Sequence, residues 1–352
     1  MKRGLVLAKY STLAATTRQR FVQAVPYLKQ AGISLDIRPL FDNDILTRLF
    51  TGRPRSTLGV ARAYSRRMRD LLVARDFDFL WVHLETFPYL PGFTERLVEI
   101  AGKPVIYDYD DAIFHQYDQH PNPIVRRLLG AKLVPLMRRA DIAFCGNAYL
   151  RSYADRYCAR TELIPTTVDV VGYRPRGARS ATGPVTAGWI GSPSTWPYCE
   201  QIAGVLADYA NAPHRAVLIV GAQHAVSKPH PFQFRDWAET REVADIHEMD
   251  IGIMPVPDQP WARGKCGYKL IQYMACAIPV VASPVGVNKD IVEHGVNGFL
   301  ASSDAEWRGA LNRLAADPAL RKRMGDAGRT RVEERYSIQR YGPRMAELIH
   351  SL

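Results

Sequence analysis

The chain has 352 residues, 47% of them hydrophobic, with 46 Lys+Arg against 35 Asp+Glu and a formal net charge of +11. That length holds two ordinary domains, and the apolar fraction supports packed cores and excludes a disordered chain. No apolar run approaches the roughly 18 residues of a spanning helix, and five cysteines without metal-ligand spacing (Cys145, Cys158, Cys199, Cys266, Cys276) fit a reduced cytoplasmic setting.

The opening MKRGLVLAKYS has too short an apolar run for a secretory leader and reads as a strand, GLVLA. A helix over residues 20–31, closed by Gly32, leads to a second strand, ISLDIRPL. A helix over 61–74 follows, then the strands FDFLWVHL and KPVIYDY, a helix over 124–139, and the strand IAFCG. Short apolar runs between helices predict a parallel sheet covered on both faces. ELIPTTVDVVGYRP reads as the exit from a first domain, residues 1–170, and RPRGARSATGP (174–184) has linker composition. The alternation then resumes. PVTAGWIGSPST is a strand running into a glycine turn. After it come a helix over 196–211, the strands RAVLIVG and MDIGIMPVP, a helix from Lys269 to Cys276, and the strand PVVAS. Helices over 306–316 and 318–336 complete a second domain, 171–335, the last opened by Asp317-Pro318.

The positive charge is uneven. Residues 1–170 carry 25 Lys+Arg and 17 Asp+Glu (+8), the remainder 21 and 18 (+3). Residues 45–75 hold eight arginines and one acid, Asp70. Residues 124–139 hold five basic residues and no acid, interleaved with Leu128, Leu129, Leu133, Val134, Leu136 and Met137. Basic amphipathic helices of this kind suit an anionic membrane face; a solvated basic face is the plainer alternative. Nucleic acid is the other usual partner of such charge, but no nucleic-acid motif accompanies it and none is expected to bind.

The densest chemical text is RGKCGYKLIQYMACAIPVVASPVGVNKDIVEHGVNGFLA (263–301). Lys265 and Lys269 frame a glycine turn at Gly267 just before a helix. Free N–H groups and the helix dipole favour an anion such as phosphate there. PVVAS then opens into SPVGVN, where backbone can approach a ligand closely. GWIGSPST (188–195) offers a second phosphate loop through Gly191, Ser192, Thr195 and backbone N–H groups; a strand-to-helix cap explains the same residues. YDYDDAIFH (107–115) is the richest acidic cluster. Asp108 and Asp110 have the spacing of a DxD metal motif, but lysines are expected to balance the phosphate charge, so no metal is expected. Asp110, Asp111 or His115 can orient an incoming hydroxyl or take its proton; a helix cap with salt bridges is the alternative. His83 and Glu85 end another strand, and Arg18 and Arg20 follow the first. The sequence contains no G-x-S-x-G elbow, H-E-x-x-H, G-x-G-x-x-G or P-loop.

The order of these pieces resembles the nucleotide-sugar site of family 4 (group 1) of the retaining glycosyltransferases. That family reads roughly E-G-x-G-x-x-x-x-E-A-M-A-x-G-x-P-V-V-A-S, then G-G, E and N-G-x-L. Here Tyr273-Met274-Ala275, Pro279-Val280-Val281-Ala282-Ser283, Gly286 and Asn297-Gly298-Phe299-Leu300 match its tail, whereas Gly264 and Gln272 stand where the family has its two glutamates. The resemblance implies an α/β fold of GT-B architecture, two Rossmann-like doubly wound domains facing across a cleft, with residues 336–352 crossing back to the first. It implies transfer of a sugar from a nucleotide-diphosphate sugar to an acceptor hydroxyl, with retention and without a metal. The donor would meet Gly191, Ser192, Thr195, Arg263, Lys265, Gly267, Lys269, Gln272, Pro284, Val285 and Gly286. Gln272 would accept from a ribose hydroxyl. Asp110, Asp111 and His115 would serve catalysis, and Arg18, Arg20, His83 and Glu85 the acceptor side. With the basic first domain, the acceptor expected is a glycan or lipid-linked glycan of surface polysaccharide assembly, met by a cytoplasmic protein peripheral on the inner face of the membrane. A nucleotide-sugar epimerase and a non-catalytic nucleotide-sugar-binding subunit are the other readings.

Overall fold

The computed structural model describes residues 1–50, 56–177, 183–226 and 228–352. Arg53 and Arg55 of the first basic run, and residues 178–182 of the linker-like stretch, lie outside the described residues. The chain divides into two compact units. The first comprises Met1–Thr167, Gln259–Cys266 and Ile338–Leu352; the second comprises Val168–Asp258 and Gly267–Ser337.

The first unit is built on six parallel strands: β1 Lys2–Tyr10, β2 Ile33–Phe41, β3 Phe79–His83, β4 Val105–Tyr109, β5 Ile142–Cys145 and β6 Thr161–Leu163, in the order β2-β1-β3-β4-β5-β6. Alternation splits each central strand between two cores. Leu5, Leu7, Leu80, Val82 and Tyr107 join one; Val6, Ala8, Trp81, Ile106 and Phe144 join the other. Burial on both faces is why these strands read as unbroken apolar runs. The second core is closed by the C-terminal helix Ile338–His350, through Ile338, Met345, Leu348 and Ile349. Gly342 lets it lie flat, because a Cβ there would sit 2.5 Å from the Tyr27 ring.

The second unit repeats the plan with β7 Val185–Ile190, β8 Arg215–Val220, β9 Gln233–Arg235, β10 Ile251–Met254, β11 Val280–Ala282 and β12 Gly298–Leu300, all parallel, in the order β12-β11-β10-β7-β8-β9. Its core gathers Trp189, Trp196, Leu206, Ile219, Ile253, Val281 and Trp307. The helix Asp304–Ala316 begins with a capping box between Ser303 and Glu306.

Two sequence expectations are corrected here. The helix expected over 124–139 is two helices, Pro123–Leu129 and Val134–Arg139, separated at Gly130. Its Leu129, Leu133, Val134, Leu136 and Met137 are buried and so cannot form a lipid-facing stripe, whereas Leu128 is exposed. The basic run over 45–75 is partly structural: Arg67 is buried and donates to the carbonyls of Ala8 (2.6 Å) and Arg38 (3.2 Å). Strands β9 and β12, three residues each, were not expected from the sequence.

Beneath the carboxyl ends of β1 and β3 lies a buried charge quartet. Lys9 Nζ donates to Glu85 Oε1 (2.6 Å), Lys132 Nζ lies 3.7 Å from Glu85 Oε2 and bonds Glu95, and Tyr117 Oη donates to Glu85 Oε2 (2.5 Å). Glu95 also accepts from the backbone N–H of Thr86 (2.8 Å). Two ammonium groups thus balance two carboxylates out of water. Burial pushes the Glu85 carboxyl up, but Lys9, Lys132 and the hydrogen bonds outweigh it and leave its pKa below the ordinary carboxylate value. Removing one partner strands a buried charge, at a cost of about 3–5 kcal/mol. Lys132→Met should therefore lower the unfolding free energy by that amount, read as a lower urea midpoint at unchanged m-value, and a midpoint within error of wild type would show that the quartet does not stabilise the fold.

Candidate functional sites

In a doubly wound sheet, ligands sit outside the carboxyl ends of the strands where the strand order reverses. In the first unit that point lies between β1 and β3. Thr16, on the helix Ala15–Arg20 that follows β1, reaches it, as do His83 at the end of β3 and Asp110 just past β4. Thr16 Oγ1 donates to Asp110 Oδ2 (2.7 Å) and lies 3.1 Å from His83 Nε2, which is 3.5 Å from Asp110 Oδ1. The His83 ring is set edge-on to Phe21. Asp110 Oδ1 and His83 Nδ1 are buried with no hydrogen-bond partner among the described residues. Unpaired polar atoms in a dry site are costly. Burial pushes the Asp110 carboxyl up, but His83, Arg20 and Thr16 outweigh it and hold it at about 2. Asp111 behaves oppositely: burial and the Asp110 charge raise its pKa against the pull of Lys265.

Two residues expected on the acceptor side have structural roles instead. Arg20 is fully buried, with Nε on Asp108 Oδ1 (2.8 Å) and Nη1 on the Ile164 carbonyl (2.7 Å). Asp108 also accepts from Trp81 Nε1 (3.0 Å), so neither half of this pair is presented to a ligand. Glu85 belongs to the buried quartet. Arg18 is half-buried and bonds the Thr12 and Leu13 carbonyls. His115 is held by Asp118 through Nδ1 (2.7 Å) and by Tyr149 through Nε2 (2.7 Å), rather than by Asp110.

The segment Gln259–Cys266 is stitched into the first unit. Asn147 Nδ2 donates to the carbonyls of Gly264 (2.9 Å) and Lys265 (3.0 Å), and Cys266 Sγ to that of Asp110 (2.8 Å). Gly264 packs against the Ala112 backbone: a Cβ there would lie 2.4 Å from Ala112 Cβ and 2.8 Å from its nitrogen. No side chain fits, which accounts for glycine at the position where the resembled pattern has its first glutamate. Arg263 and Lys265 therefore belong to the first unit, and Gly267 and Lys269 to the second.

In the second unit the strand order reverses between β7 and β10. There the Gly191 turn meets Lys269: a Cβ on Gly191 would be 2.7 Å from Lys269 Cε, and the Lys269 ammonium lies 5.3 Å from the Trp189 ring centre. Thr195 Oγ1 donates to the Ser192 carbonyl (3.0 Å), and the Ser192 and Ser194 hydroxyls are 2.9 Å apart. Gly267 takes φ +65° at the start of the helix Tyr268–Ala275, a conformation that suits glycine. After β11, Ser283 Oγ accepts from the Val256 N–H (3.0 Å) and its carbonyl from Val285 N–H (2.8 Å) and Asn288 Nδ2 (3.0 Å). These bonds hold the Pro284-Val285-Gly286 turn, with Gly286 at φ +53°.

Gln272 is buried, and its amide donates to Glu242 Oε1 (2.9 Å) and Tyr173 Oη (2.9 Å). Tyr173 itself donates to Glu242, whose other oxygen accepts from Trp237 Nε1 (2.7 Å). The Trp237 Cβ in turn lies 3.2 Å from where a Cβ on Gly221 would be, and that same position is 2.2 Å from the Gly191 carbonyl. Thr16, Tyr173, Trp237 and Glu242 thus join sites at which sequence reasoning did not place them. Glu242 had no signal beyond an acidic residue at a helix start. Thr16 could have been sought as the hydroxyl one turn past the first strand.

Residues 200–317 match the protein-family profile described as Glycosyl transferases group 1. The alpha-maltose-1-phosphate synthase of Mycobacterium tuberculosis is 40% identical over 75 residues, 19% of this chain and 19% of that protein. The human alpha-1,3/1,6-mannosyltransferase ALG2 is 32% identical over 81 residues, 23% of this chain and 19% of that one. The match thus spans about a fifth of the length of these curated relatives. Among solved structures, sucrose-phosphate synthase from Thermosynechococcus elongatus has a TM-score of 0.73 at 14% identity, over 100% of this chain and 99% of that one. Anabaena HepE in complex with UDP-glucose has 0.71 at 16%, over 100% of both. At these identities the likeness speaks for the fold, and with the two parallel sheets it makes this an α/β protein of the GT-B class with two Rossmann-like domains, as expected from the sequence. Within that fold, residues 200–317 carry the signature of group 1 glycosyltransferases.

The depressed Asp110 carboxyl has a pH consequence. Its contribution to stability is fully present above the ordinary carboxylate pKa of roughly 4 and is lost as pH falls toward its folded value, about 2. Asp110→Asn should flatten this acid limb, removing about 2 kcal/mol of pH-dependent stability. The check is the urea midpoint of both proteins from neutral pH to the acid limit. Parallel profiles would mean that His83 and Thr16 do not stabilise the ionised carboxylate.

Proposed function

We propose that the protein is a glycosyltransferase that moves a sugar from a nucleoside-diphosphate sugar to an acceptor hydroxyl, with retention and without a metal, while peripheral on the cytoplasmic face of a membrane. The observation that carries the reading is the group 1 signature over residues 200–317, set on a switch-point turn where Gly191 and Lys269 come together. In this reading Lys269 and the Gly191–Thr195 loop take the diphosphate, where negative charge grows as the sugar departs. Glu242 and Gln272 take the ribose hydroxyls, and Pro284-Val285-Gly286 lines the sugar.

Asp110, ionised across the working pH range, orients the acceptor hydroxyl together with His83 and Thr16. Asp111, with its raised pKa, is the better matched proton acceptor. For retention, the acceptor oxygen bonds to the anomeric carbon on the same face from which the diphosphate oxygen departs, as the bond from that carbon to the diphosphate oxygen breaks. The electron pair leaves on the nucleoside diphosphate, and the acceptor's proton goes to Asp111. The acceptor class supported by the basic first unit is a glycan or lipid-linked glycan, in surface polysaccharide or glycolipid assembly. A second reading, a nucleotide-sugar-binding subunit without turnover, is favoured by Gly264, where no carboxylate side chain fits.

Thermal stabilisation by UDP, GDP and ADP and by their sugar conjugates tests the donor site through linkage. One base should give a selective shift of several degrees. Lys269→Ala should weaken that nucleotide about ten-fold or more, roughly 1.4 kcal/mol. Asp110→Asn should keep nucleotide binding while transfer falls at least about 100-fold. No shift with any nucleotide would overturn the transferase reading, and binding with no turnover on any acceptor would install the second one.

A further inference from the structure

We propose that the first unit docks on an anionic bilayer through one particular surface, formed by Tyr89, Phe93, Ile124 and Leu128 with Arg127 among them. The inference rests on the reading of a membrane-held acceptor and names the contact face. Tyr89 is 49% exposed, Phe93 70%, Ile124 64% and Leu128 69%. Large apolar side chains scattered singly on a surface need no explanation, but a group of them on adjoining segments does.

These four sit on two segments that touch. The turn carrying Tyr89 and Phe93 packs on the chain just past the helix Pro123–Leu129: a Cβ on Gly92 would meet the Lys132 carbonyl at 3.0 Å. Tyr89 N–H donates to Tyr117 Oη (3.1 Å) and its ring lies edge-on to Tyr117. The helix of Tyr117 in turn touches Pro123–Leu129, since a Cβ on Gly130 would be 3.7 Å from Asp118 Cα. Along that helix, positions 124, 127 and 128 share one face, and all three point to solvent. Leu129, on the opposite side, is buried. An outward apolar face on a helix this short is the reverse of what packing alone selects. Tyr89 is held out at φ +59°, a left-handed conformation that costs a tyrosine free energy and that marks functional segments more often than inert ones.

The charge around the patch chooses the occupant. Arg126 and Arg127 are exposed on the helix that carries Ile124 and Leu128, and the 16 residues from Ile124 to Arg139 contain no acid. Arg96, three residues past Phe93, is paired with Glu99, and Asp118 is engaged by His115. Aromatic and aliphatic tips ringed by arginine fit the headgroup boundary of an anionic leaflet: the tips enter the acyl region and the guanidinium groups meet phosphate. No described helix is long and apolar enough to cross a membrane, so the contact is peripheral. The two segments also leave the carboxyl ends of β3 and β4, the edge that carries His83 and Asp110. A bilayer seated here lies on the same side of the first unit as the groups that would receive a hydroxyl.

The test uses the full-length protein and phosphatidylcholine vesicles with and without phosphatidylglycerol, at low and at physiological salt. Wild type should bind the anionic vesicles, more weakly at higher salt, and leave the neutral ones. Phe93→Ser/Ile124→Ser/Leu128→Ser should lose about ten-fold or more of that binding, and Arg127→Glu a smaller share. Val296→Ser, an exposed apolar residue of the second unit, should lose none. Each variant should keep the wild-type melting temperature and nucleotide-induced shift, which separates loss of docking from loss of fold. Undiminished vesicle binding by the triple variant, equal binding to neutral vesicles, or wild-type self-association that the triple variant abolishes, each overturns the proposal. Vesicle binding that persists while no nucleotide stabilises the protein leaves the surface standing and sinks the transferase reading instead.

Discussion

A parallel sheet clothed in helices on both faces can meet a ligand only at its strand ends. Everything chemical in this protein depends on that restriction. The central strands contribute core residues, and the polar side chains of interest arrive on segments that leave carboxyl ends. In the first unit these are Thr16 after β1, His83 closing β3 and Asp110 beyond β4. In the second they are the Gly191 turn after β7, Trp237 after β9 and Ser283 after β11. The two sheets use different strand orders, yet each brings its groups together where its own order reverses. The apolar strands set position, and the segments leaving their carboxyl ends supply the chemistry.

The same restriction explains why charge was a poor guide within the first unit. Loops leaving strand ends must cover the core as well as line a site, and long basic side chains can do either. Arg20, Arg67 and Lys132 are spent inside, on Asp108, on two backbone carbonyls and on the Glu85–Glu95 pair. In the sequence they are indistinguishable from Arg127, which faces solvent. A buried ion pair needs a partner from a distant segment, 88 residues away for Arg20 and Asp108, and no local spacing announces it. The 124–139 stretch shows this most plainly. Its apolar residues look like one stripe, but Gly130 divides it into two helices, and most of those residues turn inward while Leu128 turns out.

The legible features were those with a period or a punctuation mark. The central strands announce themselves as apolar runs between helices, because burial on both faces removes any polar alternation; β9 and β12, at the edges of the second sheet, do not. The glycine turns at Gly191 and Gly267 and the Asp110 cluster were visible for the same reason. The partners of those groups were not. Thr16 reaches Asp110 across 94 residues, and Glu242 reaches Gln272 across 30. Such contacts depend on strand order, which periodicity does not encode. Nor does it encode where a segment docks: Asn147 draws Gly264 and Lys265 into the first unit two residues before the chain enters the second.

The two departures from the glycosyltransferase pattern then have separate physical accounts. At 264 the backbone lies so close to Ala112 that a side chain of any kind would displace it; glycine there is a consequence of packing. At 272 the question is one of charge. Glu242 presents its carboxylate to that position, 2.9 Å from the amide nitrogen of Gln272. A glutamate at 272 would set two carboxylates against each other, and one would be forced to hold a proton. An amide instead donates to Glu242 while keeping the shape of a glutamate. Gln272 and Glu242 therefore form a matched pair: the carboxylate is supplied from the start of the helix Glu242–His247, and the residue at 272 becomes the donor that holds it in place.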